Sequence, residues 1–219
     1  MKVLLTVFLS LMLLASVASA ELLVTALPLG QGSLGVLGAG IQDSNWAANN
    51  SGWTLTTIGG YVGYGVLDQL DLLVTLGSAN AGGLPAGISA SGTAYGALLK
   101  YTVVQEGKDF PVSVAVGAGY KFLAMTFAGT SANGNQAVVA LGLSKIFAPF
   151  VPYLGATYRG TAYNNAASST QFDITAGSAI AWSQQGAVYV EYTSQSITPN
   201  GGTGYTSGQI AAGVGYKIM

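Results

Sequence analysis

Beyond the first thirty residues, apolar and non-apolar side chains alternate singly along most of the chain. In residues 70–77, Leu70, Leu72, Val74 and Leu76 share one face, and Asp71, Leu73, Thr75 and Gly77 share the other. In residues 111–122, Val112, Val114, Val116, Ala118, Tyr120 and Phe122 oppose Ser113, Ala115, Gly117, Gly119 and Lys121. In residues 171–183, Phe172, Ile174, Ala176, Ile180 and Trp182 oppose Asp173, Thr175, Gly177, Ala179 and Ala181. Near the C-terminus, Ile210, Ala212, Val214, Tyr216 and Ile218 oppose Gln209, Ala211, Gly213, Gly215 and Lys217. Successive side chains of a strand point to opposite faces, so a period of two predicts sheet with one apolar face and one small or polar face.

Ten such segments are predicted: 31–42, 53–66, 70–79, 92–104, 111–123, 137–146, 150–161, 171–183, 187–197 and 208–218. Their lengths suit tilted strands crossing a bilayer, which need about 9–11 residues. The connections alternate in length. Those at 67–69, 105–110, 147–149 and 184–186 are tight. Those at 43–52, 80–91, 124–136, 162–170 and 198–207 are longer and rich in Asn, Gly, Ser and Thr. The longest uncharged stretch, residues 72–99, is broken by Gly77, Ser78, Asn80, Gly82, Gly83, Pro85 and Gly87, and so does not read as a membrane helix. The pattern predicts an all-β, transmembrane, antiparallel up-and-down β-barrel of about ten strands, with short periplasmic turns and longer external loops. An even strand count puts both termini on the periplasmic side.

Composition supports the barrel over a soluble fold. Only 7% of the 219 residues are charged and 50% are hydrophobic, against about 25% charge in ordinary soluble domains. A soluble all-β secreted protein would need a charged exterior, which this chain cannot supply. Disorder is excluded by the apolar content. The net charge of -1 provides no basic surface for nucleic acid.

The N-terminus carries an export pattern. Lys2 precedes an apolar stretch over residues 3–17, and Ala18-Ser19-Ala20 matches a small-x-small cleavage site. A signal peptide over 1–20 and a barrel domain over 21–219 are therefore expected, with the mature chain beginning at Glu21.

Seven charged residues fall inside the predicted strands: Asp71, Lys100, Lys121, Arg159, Asp173, Glu191 and Lys217. All seven lie on the face opposite the apolar row. Because a lipid-facing Lys or Arg at the bilayer midplane costs about 2–4 kcal/mol, that face is the lumen. The other mature charges, Glu21, Asp43, Asp68, Glu106, Lys108, Asp109 and Lys145, fall at the chain start, in connections or near strand ends. By depth, Asp71, Lys100, Glu191 and Lys217 belong near the periplasmic ends of their strands, and Lys121, Arg159 and Asp173 nearer the outer ends. Neighbouring strands predict three ion pairs: Asp71 with Lys100, Arg159 with Asp173, and Glu191 with Lys217. Two readings stand: structural pairing, or an ion-selective lining.

Aromatics on the apolar face form two levels. Tyr64, Tyr101, Trp182 and Tyr216 lie toward the periplasmic ends, and Tyr95, Tyr120, Phe122, Tyr158 and Phe172 toward the outer ends. Such rings prefer the headgroup regions flanking an apolar band.

The segment Gly59-Gly60-Tyr61-Val62-Gly63-Tyr64-Gly65-Val66-Leu67-Asp68-Gln69-Leu70-Asp71-Leu72, the segment Pro152-Tyr153-Leu154-Gly155-Ala156-Thr157-Tyr158-Arg159 and the C-terminal strand resemble the small, porin-like outer-membrane β-barrel proteins of Gram-negative bacteria. The last strand departs from their pattern by ending Tyr216-Lys217-Ile218-Met219 rather than on an aromatic. The resemblance implies a place in the bacterial outer membrane, with its lipid and the barrel-assembly machinery as partners. It implies no cofactor and no metal. Enzymatic barrels of this size use a catalytic His, and this chain has neither His nor Cys, so no enzyme is expected.

Two functions remain open at this point. One is a narrow passive pore for small solutes or a structural barrel, since much of the inward face is Gly, Ala or Ser and its large members are chiefly Tyr61, Leu73, Leu98, Tyr153 and Tyr189. The other is a surface-binding or adhesion module acting through its external loops, with Trp46, Trp53, Tyr163 and Tyr205 as anchors.

Overall fold

A computed structural model describes residues 25–44, 54–164 and 168–218. The expected export segment and its cleavage site lie outside the described residues, as do Trp46 and Trp53. The ten strands are β1 (Leu34–Ser44), β2 (Thr54–Leu67), β3 (Leu70–Gly82), β4 (Ala90–Val104), β5 (Ser113–Phe127), β6 (Thr130–Ser144), β7 (Phe150–Tyr163), β8 (Ser169–Ala181), β9 (Gly186–Pro199) and β10 (Tyr205–Lys217). Each pairs antiparallel with its sequence neighbours, and β1 closes on β10, with Val36 opposite Tyr216 and Ile41 opposite Ala211. Closure leaves no unpaired edge, the condition a sheet must meet in lipid. The predicted fold class and strand count therefore hold.

The alternation sets the facing. The nine aromatics expected outside, from Tyr64 to Tyr216, are all exposed, and so are Val74, Leu76, Leu141 and Ile174 between them. Inward neighbours such as Leu73, Thr75, Leu98 and Thr175 are buried.

The strands run further than predicted at the end away from the termini. The largest correction concerns residues 124–136, expected as a long loop. There β5 continues to Phe127 and β6 begins at Thr130, joined by Ala128 and Gly129 at φ of 47° and 80°. Two successive left-handed residues fit the tight hairpin whose twist matches that of the strands.

The extension has a specific pattern. Beyond the level of Tyr95 and Phe122 the polarity of the faces reverses. Leu55, Ala79, Ala90, Ala94, Leu123, Met125 and Phe127 form a buried apolar cluster inside the barrel. Outside, Thr56, Ser78, Asn80, Ser91, Thr93, Ser131, Asn133 and Asn135 are exposed. This stretch of β2–β6 is built like a water-soluble protein, with apolar residues inside and polar residues outside. The apolar belt on the outer wall ends where the reversal begins.

At the other end, residues 25–33 run into the mouth, with Gly32 and Ser33 against β2 and Ala26 against β6. Gly32 N–H donates to the Gly65 carbonyl (2.8 Å), and Gly65 N–H donates to that of Ser33 (2.9 Å). A Cβ at Gly65 would overlap the Gly30 carbonyl oxygen, so only glycine admits this close approach.

Candidate functional site: the barrel interior

The interior is built in layers, starting at the mouth that holds residues 25–33. Here Asp71 and Lys100 face each other across β3 and β4 at 3.0 Å, as predicted. Their second role was not predicted: they hold the N-terminal segment. Leu29 N–H donates to both Asp71 carboxylate oxygens (3.1 and 3.2 Å). Lys100 Nζ donates to the Leu27 carbonyl (2.7 Å), and Thr102 Oγ1 donates to that of Ala26 (3.0 Å). Ala26 N–H donates to Ser144 Oγ (3.2 Å), and Lys217 Nζ donates to the Leu29 carbonyl (2.8 Å). The segment thus touches β2, β3, β4, β6 and β10, spanning the mouth.

The next layer is apolar. Leu73, Leu98, Val138 and Ala140 form one buried cluster, and Leu37, Ala39, Ala179 and Tyr189 form another. Tyr61 packs against both and bridges them across the lumen. Four of the large inward residues predicted from sequence, Tyr61, Leu73, Leu98 and Tyr189, therefore join in this layer.

Above this lies a polar layer. Arg159 Nη1 sits 2.9 Å from Asp173 Oδ2, as expected for this pair, and both side chains are at most 1% exposed. Gln171 Nε2 donates to the other Asp173 oxygen (2.7 Å). Gln136 Nε2 donates to Thr161 Oγ1 (3.0 Å), Thr175 and Thr193 share a hydroxyl bond (2.8 Å), and Gln195 Nε2 donates to Gln209 Oε1 (3.3 Å). Lys121, buried inside, sits in register with Gly96 and Gln136.

The third expected pair does not form. Glu191 sits in register with Ala211, six residues along β10 from Lys217, so the strand geometry keeps the two apart. Glu191 also lies deeper than expected, five residues into β9. Its Oε2 accepts a hydrogen bond from Tyr153 Oη (2.9 Å). Gly177, between them on β8, makes room for this contact: a Cβ there would stand 2.5 Å from the Tyr153 ring. Lys217 caps the N-terminal segment instead.

All seven predicted charges face inward, and an eighth was missed. Asp43, placed by sequence in a connection, lies on β1 in register with Leu55 and Gln209 and is 1% exposed. Its position follows Leu37, Ala39 and Ile41 at intervals of two, all buried, and that spacing was the available signal.

No protein-family model and no curated protein matches the sequence. Several solved structures do. The β-domain of the Bordetella autotransporter BrkA is 13% identical, with a TM-score of 0.55 over 86% of this chain and 100% of that one. Neisserial surface protein A is 16% identical, with a TM-score of 0.43 over 85% and 96%. The outer membrane protease OmpT from Escherichia coli is 12% identical, with a TM-score of 0.43 over 85% and 95%. The first likeness bears on the fold, which is that of a small outer-membrane β-barrel. At these identities none bears on activity.

Proposed function

We propose that this chain is an integral protein of the bacterial outer membrane whose lumen is closed, a structural barrel rather than an open pore. The end holding residues 25–33 faces the periplasm and the β5–β6 hairpin faces outward. One observation carries the reading: the charges that would line a passage are occupied in holding the interior shut. Asp71 and Lys100, at 0% and 7% exposure, bind the backbone of residues 27–29 across the periplasmic mouth. Arg159 and Asp173, further in, are as dry as an apolar core. A water-filled lumen would leave such side chains accessible. The exposed apolar belt, bounded by aromatic levels, supports insertion in lipid.

Planar-bilayer recording of the folded full chain tests the reading. No discrete steady openings are expected from the native protein. A stable unitary conductance would refute the closed barrel and favour the narrow solute pore.

A further inference from the structure

Among the recesses of the outer wall, an aromatic-lined one is not used by the closed-barrel reading. It lies on β4–β7 where the apolar belt gives way to the polar collar. Its volume is about 560 Å³. Tyr95 and Phe122, in register on β4 and β5, form its floor as a stacked pair with centroids 5.4 Å apart. Tyr120 meets Phe122 edge-on at 5.5 Å. Asn135 is in register with Phe122 on β6, and Asn133 stands one pleat further out. Asn164 closes the side, its Oδ1 accepting from Asn133 N–H at 3.0 Å.

The charge distribution narrows the ligand. Among the described residues no outward-facing strand position is charged. The charges outside the lumen, Asp68, Glu106, Lys108, Asp109 and Lys145, all lie in or beside periplasmic turns. The recess therefore has no cation to neutralise a phosphate and no carboxylate to hold a metal bridge to one. It has an apolar aromatic plate and exposed carboxamides, each offering a carbonyl acceptor and two N–H donors. A pyranose ring presents the complementary pair of features: a C–H face that packs on an aromatic plate, and a rim of neutral hydroxyls.

We propose that this recess binds the neutral sugar headgroup of a glycolipid, with the open face of the Tyr95–Phe122 stack packing on the ring and Asn133 and Asn135 reading the hydroxyls. The lipid-borne form is favoured over a free sugar by depth. Leu141 and Val139 continue down β6 below the recess, exposed at 45% and 53%, and offer the acyl chains a surface. The inference rests on the outer-membrane placement proposed above.

The test is native mass spectrometry of the full chain released from bilayers holding equal amounts of monoglucosyl diacylglycerol and phosphatidylglycerol with identical acyl chains. Heat-modifiable gel mobility is recorded first. The folded protein is expected to retain the glucolipid about tenfold over phosphatidylglycerol, a difference of about 1.4 kcal/mol. N133A/N135A is expected to fall to parity with unchanged gel mobility. Parity or a preference for phosphatidylglycerol in the native chain overturns the proposal, as does undiminished enrichment in the double variant. Full displacement of the glucolipid by free methyl glucoside overturns its lipid-borne form. Failure to insert overturns the membrane reading as well, whereas insertion with parity overturns the sugar site alone.

Discussion

The Arg159–Asp173 pair offers the sharpest energetic test of a dry lumen. At 2.9 Å and an effective dielectric of about 20, the gross attraction is about 6 kcal/mol. Most of that is offset by the desolvation of two ions that are at most 1% exposed. The single truncation Arg159→Ala removes the attraction but leaves the desolvation of Asp173 in place, with the Gln171 amide still donating to its other oxygen. The expected loss is about 3–5 kcal/mol, the range for breaking a buried pair. Asp173→Ala should lose a similar amount. Removing both at once, Arg159→Ala with Asp173→Ala, should cost much less than the sum of the two single losses, because neither charge then remains buried alone. Guanidinium unfolding of the protein in lipid vesicles, followed by gel mobility and extrapolated linearly, gives the four free energies of the cycle. A coupling within about 0.5 kcal/mol of zero would mean that water already solvates both ions, and the closed interior would be wrong.

Three further outcomes are expected. Gly177→Ala places a Cβ against the Tyr153 ring and Glu191 Cβ, so it should break the Tyr153–Glu191 bond and destabilise the barrel by about 1–3 kcal/mol; unchanged stability in the same unfolding assay would contradict the packing. Glu106, in the β4–β5 turn, accepts from Ile146 N–H at 2.7 Å and lies 3.3 Å from Lys145, and its pKa is lowered from 4.5, chiefly by the backbone bond and then by the lysine. A depressed carboxylate contributes above its unfolded pKa and loses that contribution as pH falls through the folded one, so the Ile146 amide resonance should titrate with a midpoint below 4.5, and a midpoint above it would reverse the assignment. Intact mass of protein from outer membranes should show residues 1–20 removed, leaving Glu21 first; a full-length mass there would end that expectation.

Most of the barrel was legible because lipid imposes a simple rule. Wherever the outer wall meets hydrocarbon, each outward residue must be apolar and each charge must turn inward, so alternation reports facing directly. The rule weakens beyond the apolar belt. Residues 124–136 misled for this reason: Thr126, Ser131, Asn133 and Asn135 have the composition of a loop, but they are the outward positions of two strands that run on past the apolar belt. Leu123, Met125 and Phe127 kept the period of two, with apolar residues now inside. Asp43 was misplaced at the same level and on a strand whose glycines blur both faces.

The interior was legible in its parts but not in its partners. Register between adjacent strands found Asp71–Lys100 and Arg159–Asp173, because those pairs are local to one ladder. It failed for Glu191 because adjacency of strands is not register: the predicted segment ends already set Glu191 opposite Val214, three residues from Lys217. It could not find the N-terminal segment at all. The polar contacts of residues 26–29 described above use their main-chain N–H and C=O groups. Backbone recognition leaves no trace in the identity of the bound residues. What it does leave is a surplus on the receiving side: Lys217 has no opposite charge beside it in register, since its β1 partner is Gly35. A buried or half-buried cation whose ladder neighbours cannot neutralise it must find acceptors elsewhere. Here they are the carbonyls of the chain's own N-terminal segment. Glu191, equally left over, is met instead by the Tyr153 hydroxyl, so an unpaired inward charge signals a partner outside its ladder, and at the mouth that partner is the chain segment.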